Sequence, residues 1–501
     1  MSKKIFHSIL VIHFTLISLI SRADVAVTIT NPNNATPALA ASYTSLASAI
    51  SALNTVTSVS GPITLTCSSG TETAPLGGYV IQYTAATSLV NNIEINGSGC
   101  TITASSTLTA GSLSDGLIRI LGSDFLTIQN FNLQENAANT ITTAASNNMT
   151  EWGIALLYLT TTNGALNCTI KNNTISLNRL YQNSFGIYAN STHSLLTPTT
   201  AATASSPAGS NSNLKVYSNT ISNVNRGIVV VGPTANANNN TSIDIGGGSA
   251  TTGNTITNFG RTNAYSSYPN IGVAVDGIFV RYSTGVNISF NTVTSSTGGT
   301  TTGGLKGIYM PLFSSSLSGT FSTTINNNTI SVVSGSSTGT VEGISIETNT
   351  STATSSIQIN NNNITACTHT VSSSGNVNAI FSGMNVLNTT INNNLFTNLS
   401  FVSTGTIMLI NNSITIPAGG SQTISGNSIV TGLNKTSSFG TLRFIYNNGS
   451  SGNAAKNWSN NDFSNITVAL SSVIEGIVDN DGGSNNHNIS NNSIRNISGS
   501  D

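Results

Sequence analysis

Ile325-Asn326-Asn327-Asn328-Thr329-Ile330 is one copy of a unit that recurs through most of this 501-residue chain. Each copy has an apolar residue, an asparagine three places later, and a second apolar residue two places after that. From Asn291 onward the copies follow at intervals of 31 to 37 residues, a spacing typical of a solenoid. The asparagines of the clear copies are Asn173, Asn219, Asn291, Asn328, Asn362, Asn394, Asn427, Asn461 and Asn492.

A second repeated element pairs a glycine with an isoleucine or leucine. It is separated from the asparagine unit by a further stretch of each coil, so one coil holds a Gly-Ile strand and an asparagine-containing strand–turn–strand. This alternation predicts about a dozen coils. The glycines of this element are Gly116, Gly153, Gly186, Gly227, Gly277, Gly307, Gly343 and Gly476.

The residue types suit short coils. Asparagine and glycine tolerate the left-handed backbone region that sharp bends require. An asparagine at the same turn of every coil can also donate its side-chain amide to the next coil, about 4.8 Å away. We therefore predict that the repeated asparagines stack as a ladder, while the alternating isoleucines face inward and form one long core.

These features resemble the right-handed parallel β-helix repeats of the pectin-lyase-like superfamily, over roughly residues 43–501, and more closely large Asn-rich bacterial surface proteins than any enzyme branch. The resemblance implies an all-β, right-handed parallel β-helix. Leu46, Ala49, Ile50 and Leu53 share one helical face, so Tyr43–Leu53 is predicted to be a short N-terminal capping helix. The expected organisation is a signal peptide at 1–23, a tail and capping helix at 24–60, and the β-helix at 61–501.

The composition restricts the partners. Only 6% of the residues are charged and the net charge is −1, which argues against nucleic acid or an anionic membrane. So many Asn, Ser, Thr and Gly residues are also typical of a disordered tract, but the periodic β-branched residues favour a fold. Lys3, Lys4 and the apolar run Ile5–Ile20 indicate an export signal and no membrane span after its removal, hence a secreted or cell-surface protein.

Export permits disulfides, and Cys67 and Cys100 are 33 residues apart, about one coil. They are therefore expected on adjacent coils, either as a disulfide or as two buried small side chains.

One acidic cluster consists of Glu475, Asp479 and Asp481. Closely spaced carboxylates beside a glycine bend are typical of calcium loops, so calcium is the candidate cofactor. The full twelve-residue loop with its terminal glutamate is absent, and the alternative is an ordinary Asx/Gly turn.

Two columns are expected along the Gly-Ile strands. The residue after each inward isoleucine should face outward, which gives a candidate ligand face of Tyr188, Phe279, Tyr309 and Phe381. The alternative is that a loop folds back over these rings.

The residue before each glycine runs Arg226, Asp276, Lys306 and Glu342, and these alternating signs predict an exposed salt-bridge ladder worth about 0–1 kcal/mol per pair.

The expected function is a surface scaffold that is adhesive or binds carbohydrate, with a polysaccharide or another surface protein as partner and no catalytic residue. The first alternative is a polysaccharide-degrading enzyme, a lyase or glycoside hydrolase, which would need several carboxylates converging on adjacent coils. The second is a purely structural stalk. No cap is evident after Ile489–Ile494, so the final coil is expected to associate end to end or to continue into a longer protein.

Overall fold

A computed structural model describes residues 24–500 of the chain, apart from 144, 195–201, 261–267, 269, 297–302, 312–320, 348–353, 450–453 and 482–485. It is an all-β parallel solenoid of about 12 turns, as the repeat predicted. The predicted signal peptide at 1–23 lies outside the described residues. None of the described helices is long and apolar enough to cross a membrane.

The longest sheet contains the asparagine repeats and has 15 strands. Val27–Thr30, the first strand in the chain, pairs antiparallel with Ser42–Tyr43 and with Ile63–Cys67. From Ile63–Cys67 onward the strands pair parallel, one per coil. In spatial order the strands are Ser42–Tyr43, Val27–Thr30, Ile63–Cys67, Ile93–Asn96, Leu126–Gln129, Thr169–Lys171, Lys215–Tyr217, Asp244–Ile245, Val286–Ser289, Ser322–Asn326, Ser356–Asn360, Asn388–Asn392, Ser421–Ser425, Ala455–Ser459 and His487–Ser490.

A 12-stranded parallel sheet contains the Gly-Ile elements. Its strands are Tyr79–Ile81, Gly116–Leu121, Trp152–Leu157, Phe185–Asn190, Arg226–Val231, Val275–Arg281, Leu305–Met310, Val341–Ile346, Val377–Ser382, Ile407–Asn412, Thr441–Asn447 and Val473–Asp479. Gly153 shows why glycine recurs here. A Cβ at this position would lie 2.5 Å from a methyl of Ile175 and 2.6 Å from the carbonyl of Gly186, so a larger residue would push the coils apart.

The third face is an 11-stranded sheet that follows the asparagine turn. Its strands are Thr71–Thr73, Thr101–Thr103, Asn132–Gln134, Thr174–Ser176, Thr220–Ser222, Thr255–Phe259, Thr292–Ser295, Thr329–Ser334, Asn363–His369, Leu395–Phe396 and Ser428–Ile429. Smaller sheets are formed by Leu399–Phe401, Leu433–Lys435, Ile466–Ala469 and Ile497–Ser500, by Ala35–Thr36 with Ser58–Val59, and by Asn240–Thr241 with Ser283–Thr284. Short 3-10 helices occupy Pro32–Asn34, Pro207–Gly209 and Asn236–Asn238.

The core is a set of stacked apolar columns between these sheets. One column of the 15-stranded sheet runs through Ile288, Ile325, Ile359, Ile391 and Ile424, all fully buried. Each buried isoleucine contributes about 1.5–3 kcal/mol. Because each coil shares this column with its neighbours, the solenoid is stabilised as an array rather than coil by coil.

The α-helix is Leu46–Leu53, three residues shorter at its start than predicted because Tyr43 lies in a strand. Ser45 caps it and Ser48 bonds back, forming a capping box. The four residues predicted to share one face are buried against the core. Asn54, directly after the helix, donates to the carbonyl of Val80 at 2.8 Å, which fixes the helix against the first strand of the 12-stranded sheet.

Cys67 and Cys100 are both buried free thiols. Burial raises the pKa of the Cys100 thiol to about 11 and that of the Cys67 thiol still further, so both stay protonated. The disulfide alternative is therefore wrong for this structure, and the alternative of two small buried side chains holds.

Candidate functional site

The repeated asparagines form one hydrogen-bonded ladder. In each step the side-chain Nδ2 donates to Oδ1 of the asparagine on the next coil, at 2.8 to 3.1 Å. The backbone N–H of the same residue donates to that same Oδ1, as from Asn328 to Asn362 at 3.0 Å. Asn254, a degenerate copy in sequence, is a full member of the ladder. The ladder holds the coils in register and so positions every side chain on the outer faces.

The left-handed residue of this turn is not the ladder asparagine but the one before it. Asn327, Asn361 and Asn393 have φ of 58°, 57° and 56°, and Gly426 occupies the equivalent place with φ 68°. The two roles that the sequence assigned to one asparagine, bending the backbone and linking the coils, therefore fall on adjacent residues.

The predicted aromatic ligand face is wrong at Tyr188, which is completely buried. Tyr188 stacks on Trp152 with ring centroids 5.3 Å apart, and its hydroxyl lies 2.8 Å from His193 Nδ1. Tyr268 packs over it at 5.6 Å. His193 and Tyr268 therefore lie over this part of the 12-stranded sheet, so the outward direction of a side chain does not make it accessible here.

The other three rings of the predicted ligand face differ in how exposed they are. Phe279 is also fully buried, so the prediction is wrong there. Tyr309 is half-buried, but Lys306 Nζ lies 3.7 Å from its ring centroid and takes the place a sugar would need. Phe381 is partly exposed by itself. The four rings do not form a continuous accessible surface.

The charged residues that precede the glycines form ion pairs, but these pairs are buried rather than exposed to solvent. Arg226 Nη1 lies 3.6 Å from Asp276 Oδ2, and Lys306 Nζ lies 2.8 Å from Glu342 Oε2. Lys306 also pairs with Glu347 at 2.8 Å. Burial raises the pKa of Asp276 to about 6 despite the nearby Arg226 guanidinium. The predicted pairs are present, but the expectation that they are exposed is wrong, because each of the four side chains is 10% exposed or less.

Only part of the acidic cluster near the last described coils converges, since Asp479 and Asp481 both lie within 4.0 Å of Lys456 and of His487. Glu475 pairs with Arg443, while Asp481 pairs with Lys456 and Asp479 lies 2.9 Å from His487 Nδ1. Within the described part of the chain, no three His, Cys, Asp or Glu side chains are placed to hold a metal ion. The carboxylates predicted to bind calcium are directed to Arg443, Lys456 and His487, which these coils bring next to them.

A groove of about 500 Å³ crosses four coils on the outer face of the 15-stranded sheet. Leu89 lies at one side, and each coil contributes one residue from its corner and one from its strand. The corner and strand residues are Asn92 and Glu94, Phe125 and Thr127, Asn167 and Thr169, and Asn213 and Lys215. Glu94, Thr127, Thr169 and Lys215 are in register, so the groove runs along the solenoid axis.

Three of the four corners of this groove have a left-handed residue. Asn167 and Asn213 have φ of 59°, and Asn213 Nδ2 donates to Asn167 Oδ1 at 2.9 Å. Phe125 occupies the same place on the preceding coil with φ 52°. A bulky aromatic residue in this region is an outlier that costs about 1–3 kcal/mol, and such outliers cluster at functional sites. Its ring is partly exposed in the groove.

Contacts behind Phe125 fix its position. Asp124 directly precedes Phe125, and its side-chain carboxylate accepts a hydrogen bond from the Leu166 N–H at 2.8 Å. The backbone carbonyl of Asp124 accepts a hydrogen bond from the Tyr83 hydroxyl at 2.6 Å. Burial raises the pKa of Asp124 to about 6. The corner that holds the ring is thus tied to two neighbouring segments.

Beyond the groove, the outward strand column that contains Glu94, Thr127, Thr169 and Lys215 continues along the sheet. The in-register residues are Asp244, Asn287, Thr324, Gln358, Thr390, Thr423, Asn457 and Asn488.

Sequence reasoning missed the groove although a signal existed. Leu126-Thr127-Ile128 alternates as a strand does, and the residue before it is Phe125, where Asn167 and Asn213 stand in later coils. When the residues at the left-handed corners of these three coils are aligned, Phe125 is the aromatic residue that replaces asparagine.

The fold and the groove thus define a parallel β-solenoid with an accessible cleft that contains an aromatic ring. No family model, no curated protein and no solved structure matches the chain.

Proposed function

We propose that this chain is an extracytoplasmic surface scaffold of the pectin-lyase-like type that binds carbohydrate, and that the oligosaccharide lies in the groove that contains Phe125. The observation that carries the proposal is the aromatic ring held in a left-handed corner, at the bottom of a cleft lined by hydroxyl and amide groups. The apolar face of a sugar packs on such a ring, while its hydroxyls need donors and acceptors around the rim.

The size and the chemistry of the groove agree with this ligand. Its volume falls in the range of about 300–1,000 Å³ that is usual for small-molecule sites. Thr127, Thr169 and Asn167 provide uncharged polar groups on successive coils. Because the coils are spaced by about 4.8 Å, a linear chain along the axis meets an equivalent set of groups at each step.

A polysaccharide-degrading enzyme fits the groove less well. Glycosidic hydrolysis usually employs two carboxyl groups flanking the bond, and Glu94 is the one carboxylate among the residues that line this groove. Three other acidic residues, Asp115, Glu135 and Glu151, lie near one another but do not line this groove. Glu151 accepts from the Tyr181 hydroxyl and the Asp115 N–H, and Glu135 accepts from the N–H and hydroxyl of Thr150.

The test is a glycan array with purified protein and the variant Phe125→Asn. Asparagine is the residue that neighbouring coils place at this corner, so the variant keeps the backbone and removes only the ring. Loss of stacking worth about 1.4 kcal/mol corresponds to about tenfold weaker binding. The melting temperature should be unchanged or higher, because the strained aromatic corner is relieved.

Phe439→Asn is the matched control. Phe439 also has a left-handed backbone, with φ 66°, and is 66% exposed, but it does not line the groove. The control should bind glycans like the wild type. The proposal is refuted if the wild type binds no glycan, or if Phe125→Asn and Phe439→Asn bind equally well.

A further inference from the structure

The groove carries one charge of each sign at its opposite ends. Glu94 lies on the first of the four coils and Lys215 on the last, and both are in the same outward column. Three strand spacings separate them, or about 14 Å along the axis. Only uncharged Thr127 and Thr169 lie between them in that column, so the electrostatic potential changes sign along the cleft.

Lys215 is exposed and available to a ligand. Its in-register neighbour on the next coil is Asp244, but the carboxylate of Asp244 is already occupied. It accepts from the Tyr217 hydroxyl, from the Gly247 N–H at 3.1 Å and from Asn287 Nδ2 at 2.7 Å. In the described part of the chain, none of the ion pairs within 4.0 Å includes Lys215 or Glu94.

A second lysine strengthens the positive end. Lys171 pairs in register with Tyr217, so it lies diagonally from Lys215 on the same face of the sheet. Diagonal neighbours of this kind are about 7–8 Å apart. Two lysines and Asp244 leave a net charge of about one positive unit at this end. The residues in register with Glu94 on either side, Thr64 and Thr127, are uncharged, so neither of them places an opposite charge beside Glu94.

We propose, on the basis of the function proposed above, that the groove selects an oligosaccharide with a single acidic sugar, placed at the end that meets Lys215. A neutral oligosaccharide can accept a hydrogen bond from Lys215 but forms no ion pair with it. A chain of acidic sugars gains that contact but also brings a carboxylate against Glu94, where like charges repel. The preferred ligand has an anionic group at one end and a hydroxyl or amine that donates to Glu94 at the other.

The test uses short arrayed oligosaccharides in matched sets: neutral, with one terminal uronic acid, and built of uronic acids throughout. The single-acid members should bind about two- to fivefold tighter than their neutral parents, as one exposed ion pair allows. This preference should disappear in Lys215→Gln and decrease with added salt. Glu94→Gln should improve binding of the all-acid members selectively. Arg495→Gln removes a positive charge outside the groove and should leave the preference intact.

The outcomes separate this inference from the proposed function. If glycans bind and Phe125→Asn abolishes binding, but single-acid members gain nothing over neutral ones, the charge selection is overturned and the carbohydrate site stands. The same holds if Lys215→Gln keeps the preference. If the wild type binds no member of any set, the proposed function itself fails, and the selection fails with it.

Discussion

Replacing Asn362 with alanine should destabilise the solenoid well beyond an ordinary surface substitution. Asn362 Nδ2 donates to Asn394 Oδ1 at 3.0 Å and to the Ile325 carbonyl at 2.8 Å. Its Oδ1 accepts from the N–H and the Nδ2 of Asn328, at 3.0 and 2.9 Å. Four hydrogen bonds are therefore lost at a site that is fully buried.

The magnitude follows from which groups lose their partners. Asn394 Oδ1 keeps the Asn362 N–H, and Asn328 Nδ2 keeps the Ile288 carbonyl. The Asn328 N–H loses its acceptor, and the Ile325 carbonyl loses the amide that donated to it. Each such buried group costs about 1–3 kcal/mol, so we expect a loss of about 2–6 kcal/mol in the free energy of unfolding.

Urea denaturation and hydrogen exchange at the Asn328 amide measure the effect, with Asn361→Gly as the control. Asn361 is exposed and left-handed, and the equivalent residue of a later coil is already Gly426. The control should change the free energy of unfolding by less than about 0.5 kcal/mol. Equal stability of the two variants would refute the idea that the ladder amides hold the coils together.

Two further predictions concern the covered face of the 12-stranded sheet. Burial lowers the pKa of His193 from its ordinary value of 6.5 to about 3, so the unfolded chain binds the extra proton and stability is lost as the pH falls from 6.5 toward 3. His193→Gln should remove a pH-dependent contribution on the order of 4 kcal/mol, and denaturation curves that keep the wild-type difference between pH 7 and pH 4 would contradict this. Lys306→Met leaves Glu342 buried without its cation and should lower the free energy of unfolding, measured by thermal denaturation, by about 3 kcal/mol. Arg443→Met is the control, because the side chains of the Arg443–Glu475 pair are 24% and 35% exposed, and it should cost less than about 1 kcal/mol. Equal costs would show that burial of the pair is unimportant.

The sequence predicts the repeating parts of this molecule well, because each coil repeats the same physical requirement. An asparagine that must serve two neighbours, as Asn328 and Asn362 do, recurs at every turn and is visible as a period. The inward isoleucines recur for the same reason. Even the capping helix is recognisable, since Leu46, Ala49, Ile50 and Leu53 break the strand pattern with a helical one.

The non-repeating parts escape such reasoning. Tyr188 and Phe279 were expected in solvent because alternation along a strand fixes the direction of a side chain. Alternation along a strand does not report that His193 and Tyr268 pack over the face at Tyr188. Phe125 was missed for the opposite reason. A single departure from a repeat carries no periodic signal, and its meaning depends on the left-handed corner that the structure reveals.

A crystal structure of the protein with the tightest-binding arrayed glycan tests the carbohydrate site most directly. The account predicts a sugar ring packed on Phe125, hydroxyls bonded to Thr127 and Thr169, and the chain running along the solenoid axis between Glu94 and Lys215. A glycan seated elsewhere, for example on the outward column from Thr324 to Asn457, with the groove empty, would contradict it.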